Sequence, residues 1–190
     1  MFNKLLITLS LLTLSLTTYA SNNPQVRLVT NKGNIEIELN QEKAPESVKN
    51  FMQYVKSDYY SGTVFHRVIK GFMIQGGGFD KDLERKQSNK PISNEAFNGL
   101  KNDRGTIAMA RTNMPHSATA QFFINTANNR PLNHTAKSMR GWGYTVFGKV
   151  TKGMDVVDII ENSKTGAKGI FPSDVPQSDV IIEKVEIIKE

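Results

Sequence analysis

The stretch Phe65–Gln75, FHRVIKGFMIQ, combines one guanidinium and one amide with apolar side chains, and three glycines follow it. A charged arginine within an apolar, strand-like run is costly to bury, so Arg67 needs either a partner or a function. A second stretch, Gln121–Ile124 (QFFI), again joins an amide to aromatic side chains. The three glycines are followed by no Lys-Ser/Thr pair, so they predict tight backbone packing and not phosphate binding.

The chain length and amino-acid composition favour one globular domain and exclude several kinds of chemistry. The chain has 190 residues, a net charge of +6 and no cysteine, so disulfides, thiol nucleophiles and cysteine-ligated zinc are excluded. The three histidines show no metal-ligand spacing, and we predict neither a metal nor a cofactor. Basic residues alternate with acidic ones, as in Asp80–Lys86. We therefore predict no nucleic-acid binding, which favours clustered basic residues.

The amino terminus has the layout of a secretory signal peptide. A short basic region at Met1–Lys4 precedes a leucine-rich core at Leu5–Leu16, and small or polar residues follow to Ala20. The core is shorter than the ~20 residues that a membrane span needs. We expect a signal peptide at residues 1–20, a mature domain at residues 21–190 and no stable membrane insertion after cleavage. The expected location is the periplasm, with secretion beyond the cell left open.

The mature chain shows two helical patterns among many short strand patterns. Alternation before and after Lys32-Gly33 predicts a β-hairpin. Apolar residues at helical spacing predict helices over Pro45–Tyr59 and Met154–Glu161. The Gly- and Pro-containing segment Ser163–Ser178 is expected to be a loop. Further strands are predicted at Thr63–Ile69, Gly71–Gln75, Gly105–Ala110, Gln121–Asn125, Tyr144–Val150 and Val180–Ile188. Such a pattern is typical of a mainly β barrel or sandwich.

FHRVI-GFMIQGG and A-QFFI resemble the signature of the cyclophilin-type peptidyl-prolyl isomerases, and the resemblance extends over nearly all of the chain after residue 25. It implies a mainly β fold: a closed eight-stranded antiparallel β-barrel capped by two α-helices. It also implies isomerisation of X-Pro peptide bonds without a covalent intermediate. An exported member would assist the folding of exported proteins.

The resemblance also implies roles for individual residues. Arg67 matches the catalytic arginine, and Gln75 matches the amide that orients it. Substrate binding is implied for the proline pocket and the groove and rim beside it, at Phe72, Met73, Ala110, Arg111, Gln121, Phe123, Leu132 and Tyr144. Taken alone, the apolar members of this set would be ordinary core residues.

Departures from the family pattern lie at the rim. Arg111 replaces an asparagine that is usual in eukaryotic members, Tyr144 replaces a histidine, and Pro131 replaces the pocket tryptophan. Because that tryptophan donates a hydrogen bond to cyclosporin, we expect cyclosporin binding to be weak. Proline-containing polypeptides are the expected partners, and a monomer is the expected state. Peptide binding without useful turnover is the alternative function, and adhesion through the basic exterior is a weaker one.

Overall fold

The protein is described by a computed structural model over residues 23–190, so the predicted signal peptide at residues 1–20 lies outside the described residues. The described chain contains eleven β-strands and two α-helices. The strands are β1 Gln25–Thr30, β2 Gly33–Leu39, β3 Thr63–Val64, β4 Arg67–Ile69, β5 Met73–Gly76, β6 Thr106–Met109, β7 Phe122–Asn125, β8 Val146–Lys152, β9 Thr165–Lys168, β10 Phe171–Pro176 and β11 Ile181–Lys189. The helices are α1 Pro45–Lys56 and α2 Met154–Glu161.

Nine strands form one strongly curled antiparallel sheet in the order β3-β11-β1-β2-β8-β6-β7-β5-β4. The prediction of a mainly β fold with two helices is confirmed. The sheet has nine strands where eight were expected, because Phe65 and His66 interrupt the predicted strand Thr63–Ile69 and divide it into β3 and β4. These two strands are the ends of the hydrogen-bonded order, and closure of the barrel stays a prediction.

Period-two alternation explains which side chains fill the interior. In the hairpin of β1 and β2, Val26, Leu28, Ile35 and Ile37 are fully buried and their sequence neighbours are not. These residues join one large core cluster with the inward side chains of the other strands. Burial of aliphatic and aromatic surface on this scale is the main stabilising contribution to the fold.

Both helices pack their predicted apolar faces on that core. In α1, Phe51 is fully buried, with its ring centroid 5.1 Å from that of Tyr60 and 5.7 Å from that of Phe122. The helix ends at Lys56, three residues before the predicted end. In α2, Val157 and Ile160 are fully buried. No helix within residues 23–190 is long and apolar enough to cross a membrane.

The segment predicted as a loop, Ser163–Ser178, is instead a two-stranded hairpin of β9 and β10. Gly169 adopts a φ of 55° between the strands, a left-handed conformation that glycine adopts without strain. Val175 is 2% exposed and packs with Val64 and Phe79, which fixes the hairpin on the sheet beside β4. The glycines and prolines that suggested a loop therefore mark turns and irregularities of a short edge structure.

Candidate active site

The strand register places the predicted catalytic residues on one face of the sheet. Arg67 on β4 pairs with Gln75 on β5, Gln75 pairs with Phe123 on β7, and Phe123 pairs with Ala108 on β6. Residues that pair across neighbouring strands point to the same side. Their sequence neighbours Val68, Ile74, Phe122 and Ile124 point to the other side and belong to the large core. The outer face of this part of the sheet is therefore available for a site.

A cavity of about 90 Å³, here called the arginine cavity, opens on that outer face. It is lined by Arg67, Phe72, Met73, Gln75, Ala110, Arg111, Phe123, Leu132 and Tyr144. Nine of the ten residues predicted for the site thus lie around one cavity. Its volume is well below the roughly 300–1,000 Å³ of sites for drug-sized ligands, so it suits a single small side chain or ring.

The tenth residue, Gln121, lies in an adjacent groove of about 180 Å³ that shares Gln75, Ala110 and Arg111 with the arginine cavity. A chain of polar contacts joins the two spaces. Arg67 Nη1 donates to Gln75 Oε1 at 3.5 Å, and Gln75 Nε2 donates to Gln121 Oε1 at 2.9 Å. The Gln75 amide is therefore held with its oxygen toward the guanidinium. A peptide that fills both spaces would pass directly over this amide.

The apolar walls of the cavity form a cluster separate from the large core. Met73 is 2% exposed and Phe123 is 4% exposed, and Leu132 and Tyr144 pack against them. The rings of Phe123 and Tyr144 meet edge to face at a centroid distance of 5.7 Å, a preferred aromatic geometry. A small apolar ring in this cavity would contact carbon atoms on most sides and exclude water.

The rim residue Arg111 is fixed against the cavity wall. Its guanidinium lies 4.5 Å from the Tyr144 ring centroid, and its Nε donates to the Gly143 carbonyl at 2.9 Å. Trp142, two residues from Tyr144, does not line the arginine cavity; its ring lies 4.7 Å from that of His116. It therefore does not replace the pocket tryptophan. Pro131 is exposed.

Three buried asparagines behind the cavity were missed by the sequence analysis. Asn129 Nδ2 donates to the Phe72 carbonyl and to Asn125 Oδ1, both at 2.7 Å. Asn102 Nδ2 lies 3.1 Å from the Leu132 carbonyl and 3.3 Å from the Tyr144 carbonyl. These side chains hold the backbone of three wall residues. The asparagine-rich run from Asn125 to Asn129 was the available signal, but its burial could not be deduced from residue type.

Asp174 was also missed, because it lies in the segment that was predicted to be a loop. Its Oδ2 is 4.0 Å from Arg67 Nε. Arg67 and Asp174 have partly exposed side chains, at 44% and 36%. The guanidinium thus has a carboxylate on its Nε side and an amide oxygen on its Nη1 side.

His66 precedes Arg67 but points away from the cavity, into the core beside β4. It is 2% exposed, and its ring packs at a tilt against Phe79 and Phe171, at centroid distances of 4.6 Å and 5.5 Å. Burial lowers its pKa to about 4, although its contact with the Val64 backbone acts in the opposite direction. The buried Nδ1 has no hydrogen-bond partner among the described residues. At neutral pH the ring is therefore uncharged and remote from the cavity.

Two further observations bear on where the site lies. A larger cavity, about 490 Å³, lies elsewhere, on the outer side of α1 between Pro24, Lys49 and Glu190. Its lining mixes the apolar Val48 and Met52 with Glu190 and long polar side chains of α1, and it holds none of the residues predicted for the site, so size alone does not select the site. Within residues 23–190, no cluster of three His, Asp or Glu side chains could hold a metal ion.

The chain matches the sequence model described as "Cyclophilin type peptidyl-prolyl cis-trans isomerase/CLD" over residues 25–187. It is 57% identical over 163 residues to the peptidyl-prolyl cis-trans isomerase cyp18 of Streptomyces antibioticus, which covers 86% of this chain and 98% of that protein. It is also 57% identical over 158 residues to peptidyl-prolyl cis-trans isomerase B of Escherichia coli K12, covering 83% of this chain and 96% of that one.

Solved structures agree with the sequence relatives. A cyclophilin type peptidyl-prolyl cis-trans isomerase of Cryptosporidium parvum superposes with a TM-score of 0.72 at 31% identity, covering 88% of this chain and 99% of that one. The same protein in the presence of the dipeptide Ala-Pro gives a TM-score of 0.71 at 31% identity, covering 87% and 99%. The fold prediction is therefore confirmed as a cyclophilin fold. With the family matched over most of its length, the chain belongs to the cyclophilin-type peptidyl-prolyl cis-trans isomerases and is an isomerase of that kind.

Proposed function

We propose that this isomerase twists X-Pro bonds in the arginine cavity, with Arg67 stabilising the twisted amide. One observation carries the proposal: a guanidinium lies at the wall of an apolar cavity of ring size, next to the fixed amide of Gln75. Phe72, Met73, Phe123 and Leu132 would hold the proline ring. Ala110, Gln121 and the rim residues Arg111 and Tyr144 would hold the residues beside it.

The reaction requires loss of amide conjugation and no covalent change. The uncatalysed barrier is about 18–20 kcal/mol, because the C–N bond has partial double-bond character. When the bond twists, the prolyl nitrogen regains a lone pair that it lacks in the planar state. A cation that donates a hydrogen bond to this nitrogen therefore binds the transition state better than the ground state.

A hydrogen bond from Arg67 to the twisted amide can supply a large part of the catalytic free energy. A millionfold acceleration corresponds to about 8 kcal/mol, at 1.36 kcal/mol for each tenfold. A charge-assisted hydrogen bond is stronger than a neutral one, and water-poor surroundings strengthen it further. The apolar walls of the arginine cavity provide such surroundings. Fixing the ring there would also leave the preceding residue in the adjacent groove as the part that rotates.

The proposed substrates are proline-containing segments of unfolded or folding polypeptides. The Ala-Pro dipeptide named with the Cryptosporidium parvum structure supports this class of ligand. The residues that line the arginine cavity select a proline ring and define no preference for the identity of the residues beside it. We therefore propose broad use on exported proteins, and no nucleic-acid partner.

Cis–trans exchange of a short Ala-Pro peptide, measured by NMR with the chain from Ser21 onward, tests the mechanism. We expect fast exchange with the unaltered chain and a loss of at least about 100-fold with Arg67→Ala. Arg104→Ala is the matched control, because the Arg104 side chain is also 44% exposed and pairs with Asp158 on α2. The proposal fails if Arg67→Ala, correctly folded, exchanges the peptide as fast as Arg104→Ala does.

We further propose export by the signal peptide at residues 1–20 and a periplasmic location. The supporting pattern is the basic start, the apolar core of Leu5–Leu16 and Ala20 before a polar stretch. Fractionation of cells that express the full chain, with mass measurement of the product, tests it. A product that begins at Ser21 in the periplasmic fraction is expected, and a full-length cytoplasmic product would refute the proposal.

We also propose that the barrel is closed. The ends of the sheet, β3 and β4, are joined by only two residues, which supports a barrel closed through Thr63–Ile69. We propose that the protein acts as a monomer. Cyclosporin would bind weakly, since exposed Pro131 has no N–H to donate.

A further inference from the structure

The hairpin of β9 and β10 lies against β4 and is anchored there by two apolar side chains. The Phe171 ring centroid lies 5.5 Å from that of His66 and 5.1 Å from that of Phe79, which it meets edge to face. Val175 is 2% exposed in the cluster that contains Val64 and Phe79. Because both anchors reach the sheet next to Arg67, the residues between them are held close to the guanidinium.

The backbone between these anchors is irregular. Phe171 pairs with Lys168, and Val175 pairs with Gly166. Between these two pairs β10 advances by four residues while β9 advances by two, so β10 contains a bulge. Such a bulge redirects a side chain out of the regular alternation, and bulges occur frequently beside active sites. Asp174, within the bulge, has a φ of 67°. This left-handed conformation is uncommon outside glycine, although aspartate and asparagine tolerate it better than most residues.

The redirected carboxylate faces the catalytic arginine. Asp174 Oδ2 lies 4.0 Å from Arg67 Nε, and within residues 23–190 no other cation lies within ion-pair distance of it. The same guanidinium contacts Gln75 Oε1 through Nη1. A guanidinium is planar with its N–H groups in a fixed fork. Contacts at Nε and at Nη1 therefore restrict the rotation of the whole group.

We infer that Asp174 is a positioning residue for the isomerase reaction, which holds the Nε side of Arg67 so that its Nη groups face the arginine cavity. The bulge and left-handed backbone of β10 aim the carboxylate, and Phe171 and Val175 fix the strand that carries it. Asp174 does not touch the substrate. The inference rests on the proposed role of Arg67.

Asp174→Asn is the decisive substitution. Asparagine keeps the size of the side chain and tolerates the left-handed backbone, so the change removes the charge and leaves the bulge. Asp174→Gly removes the whole side chain at a φ that suits glycine. Asp179→Asn is the matched control, because Asp179 is a 34%-exposed carboxylate that pairs with Lys168 of the same hairpin at 2.6 Å.

We expect Asp174→Asn to lower kcat for an Ala-Pro peptide about two- to fivefold with KM unchanged, the scale of a partly exposed ion pair. Asp174→Gly is expected to lose at least as much and Asp179→Asn to lose nothing. The NMR resonance of the Arg67 Nε–H group should shift in Asp174→Asn and stay in place in Asp179→Asn. In an Arg67→Ala background, Asp174→Asn should have no further effect, since positioning acts only through the arginine.

The possible outcomes distinguish the positioning role of Asp174 from the catalytic role of Arg67. If Arg67→Ala loses activity while Asp174→Asn keeps full kcat, the positioning role is refuted and the role of Arg67 stands. If the loss from Asp174→Asn persists in the Arg67→Ala background, Asp174 acts through another group and the inference is also refuted. If Arg67→Ala itself retains full activity, both the mechanism and the positioning role fall.

Discussion

At the scale of single residues, asparagine side chains fix the irregular backbone around the arginine cavity. Phe72, Leu132 and Tyr144 line the cavity outside the regular strands. The Phe72 carbonyl accepts one backbone hydrogen bond, from Thr126, and the Leu132 carbonyl accepts one from Tyr144. Asn129 adds a second donor to the Phe72 carbonyl, and Asn102 adds a donor to the Leu132 and Tyr144 carbonyls, from 7% and 1% exposed positions. A buried carbonyl without a donor is costly, and this requirement explains why amide side chains lie beneath an apolar site.

Asn129→Ala tests this support. The change leaves Asn125 Oδ1 without its donor and leaves the Phe72 carbonyl with the Thr126 N–H alone. We expect the free energy of unfolding to fall by about 1–3 kcal/mol, the penalty for unsatisfied buried groups. KM should rise, because the Phe72 carbonyl loses one of its two hydrogen bonds and the wall is held less firmly. Urea denaturation and peptide exchange measure the two effects, with Asn89→Ala at an exposed position as control. Equal stability of the two variants would contradict the explanation.

At the scale of elements, the start of α1 is stabilised by a residue distant in sequence. Ala44 precedes the helix and provides no side-chain cap, and Pro45 occupies the first turn. The Glu95 carboxylate instead accepts hydrogen bonds from the backbone N–H groups of Glu46 at 3.0 Å and Ser47 at 2.8 Å. A carboxylate at this end also interacts favourably with the helix dipole. The cap thereby ties α1 to the segment before the 3-10 turn at Ala96–Asn98.

Glu95→Ala is expected to lower the free energy of unfolding by about 1–2 kcal/mol, the usual effect of losing a helix cap. Glu42→Ala is the control, because the Glu42 side chain is 83% exposed just before the same helix and contacts only Lys43 among the described ion pairs. Denaturant titration of both variants measures the difference. A Glu95→Ala protein as stable as Glu42→Ala would show that water replaces the cap without loss.

The elements also show how far the sequence could predict the structure. Helical periodicity predicted α1 and α2, and the residue types of FHRVIKGFMIQ and QFFI, through the family resemblance, predicted the lining of the arginine cavity. The Glu95 cap lies 49 residues from Glu46, and no local pattern indicates such a pairing. The hairpin of β9 and β10 was missed because its glycine and prolines favour loops. Asp174 was missed with it, since its position depends on a bulge.

At the scale of the whole molecule, the curled sheet separates two apolar regions. The large core fills the inner side, and Met73, Ala108, Phe123 and Val146 form the smaller cluster under the arginine cavity on the outer side. Strands β5, β6 and β7 therefore carry buried apolar side chains on both faces, which explains why Phe122–Asn125 is a continuous buried run. A third cluster, at the edge, holds the hairpin of β9 and β10.

His66 packs against that edge cluster and links the stability of the whole molecule to pH. The ring lies between β3 and β4 against Phe79 and Phe171. Its pKa is about 4 in the folded protein and about 6.5 in an unfolded chain. Between these values the unfolded chain takes up a proton that the folded protein excludes. The histidine therefore lowers stability as pH falls from about 6.5 to about 4, and adds no further loss below that range.

His66→Phe should remove this contribution, because phenylalanine keeps the aromatic contacts and has no titrating nitrogen. We expect the unfolding free energy of the unaltered protein to fall by roughly 3 kcal/mol more than that of His66→Phe between pH 7 and pH 4, at 1.36 kcal/mol for each pKa unit. Urea titrations at several pH values measure the difference, and His116→Gln at an exposed site is the control. Carboxylates that titrate in the same range contribute equally to all three proteins. Parallel pH curves for the unaltered protein and His66→Phe would mean that His66 is protonated in the folded state, and that the edge cluster admits water.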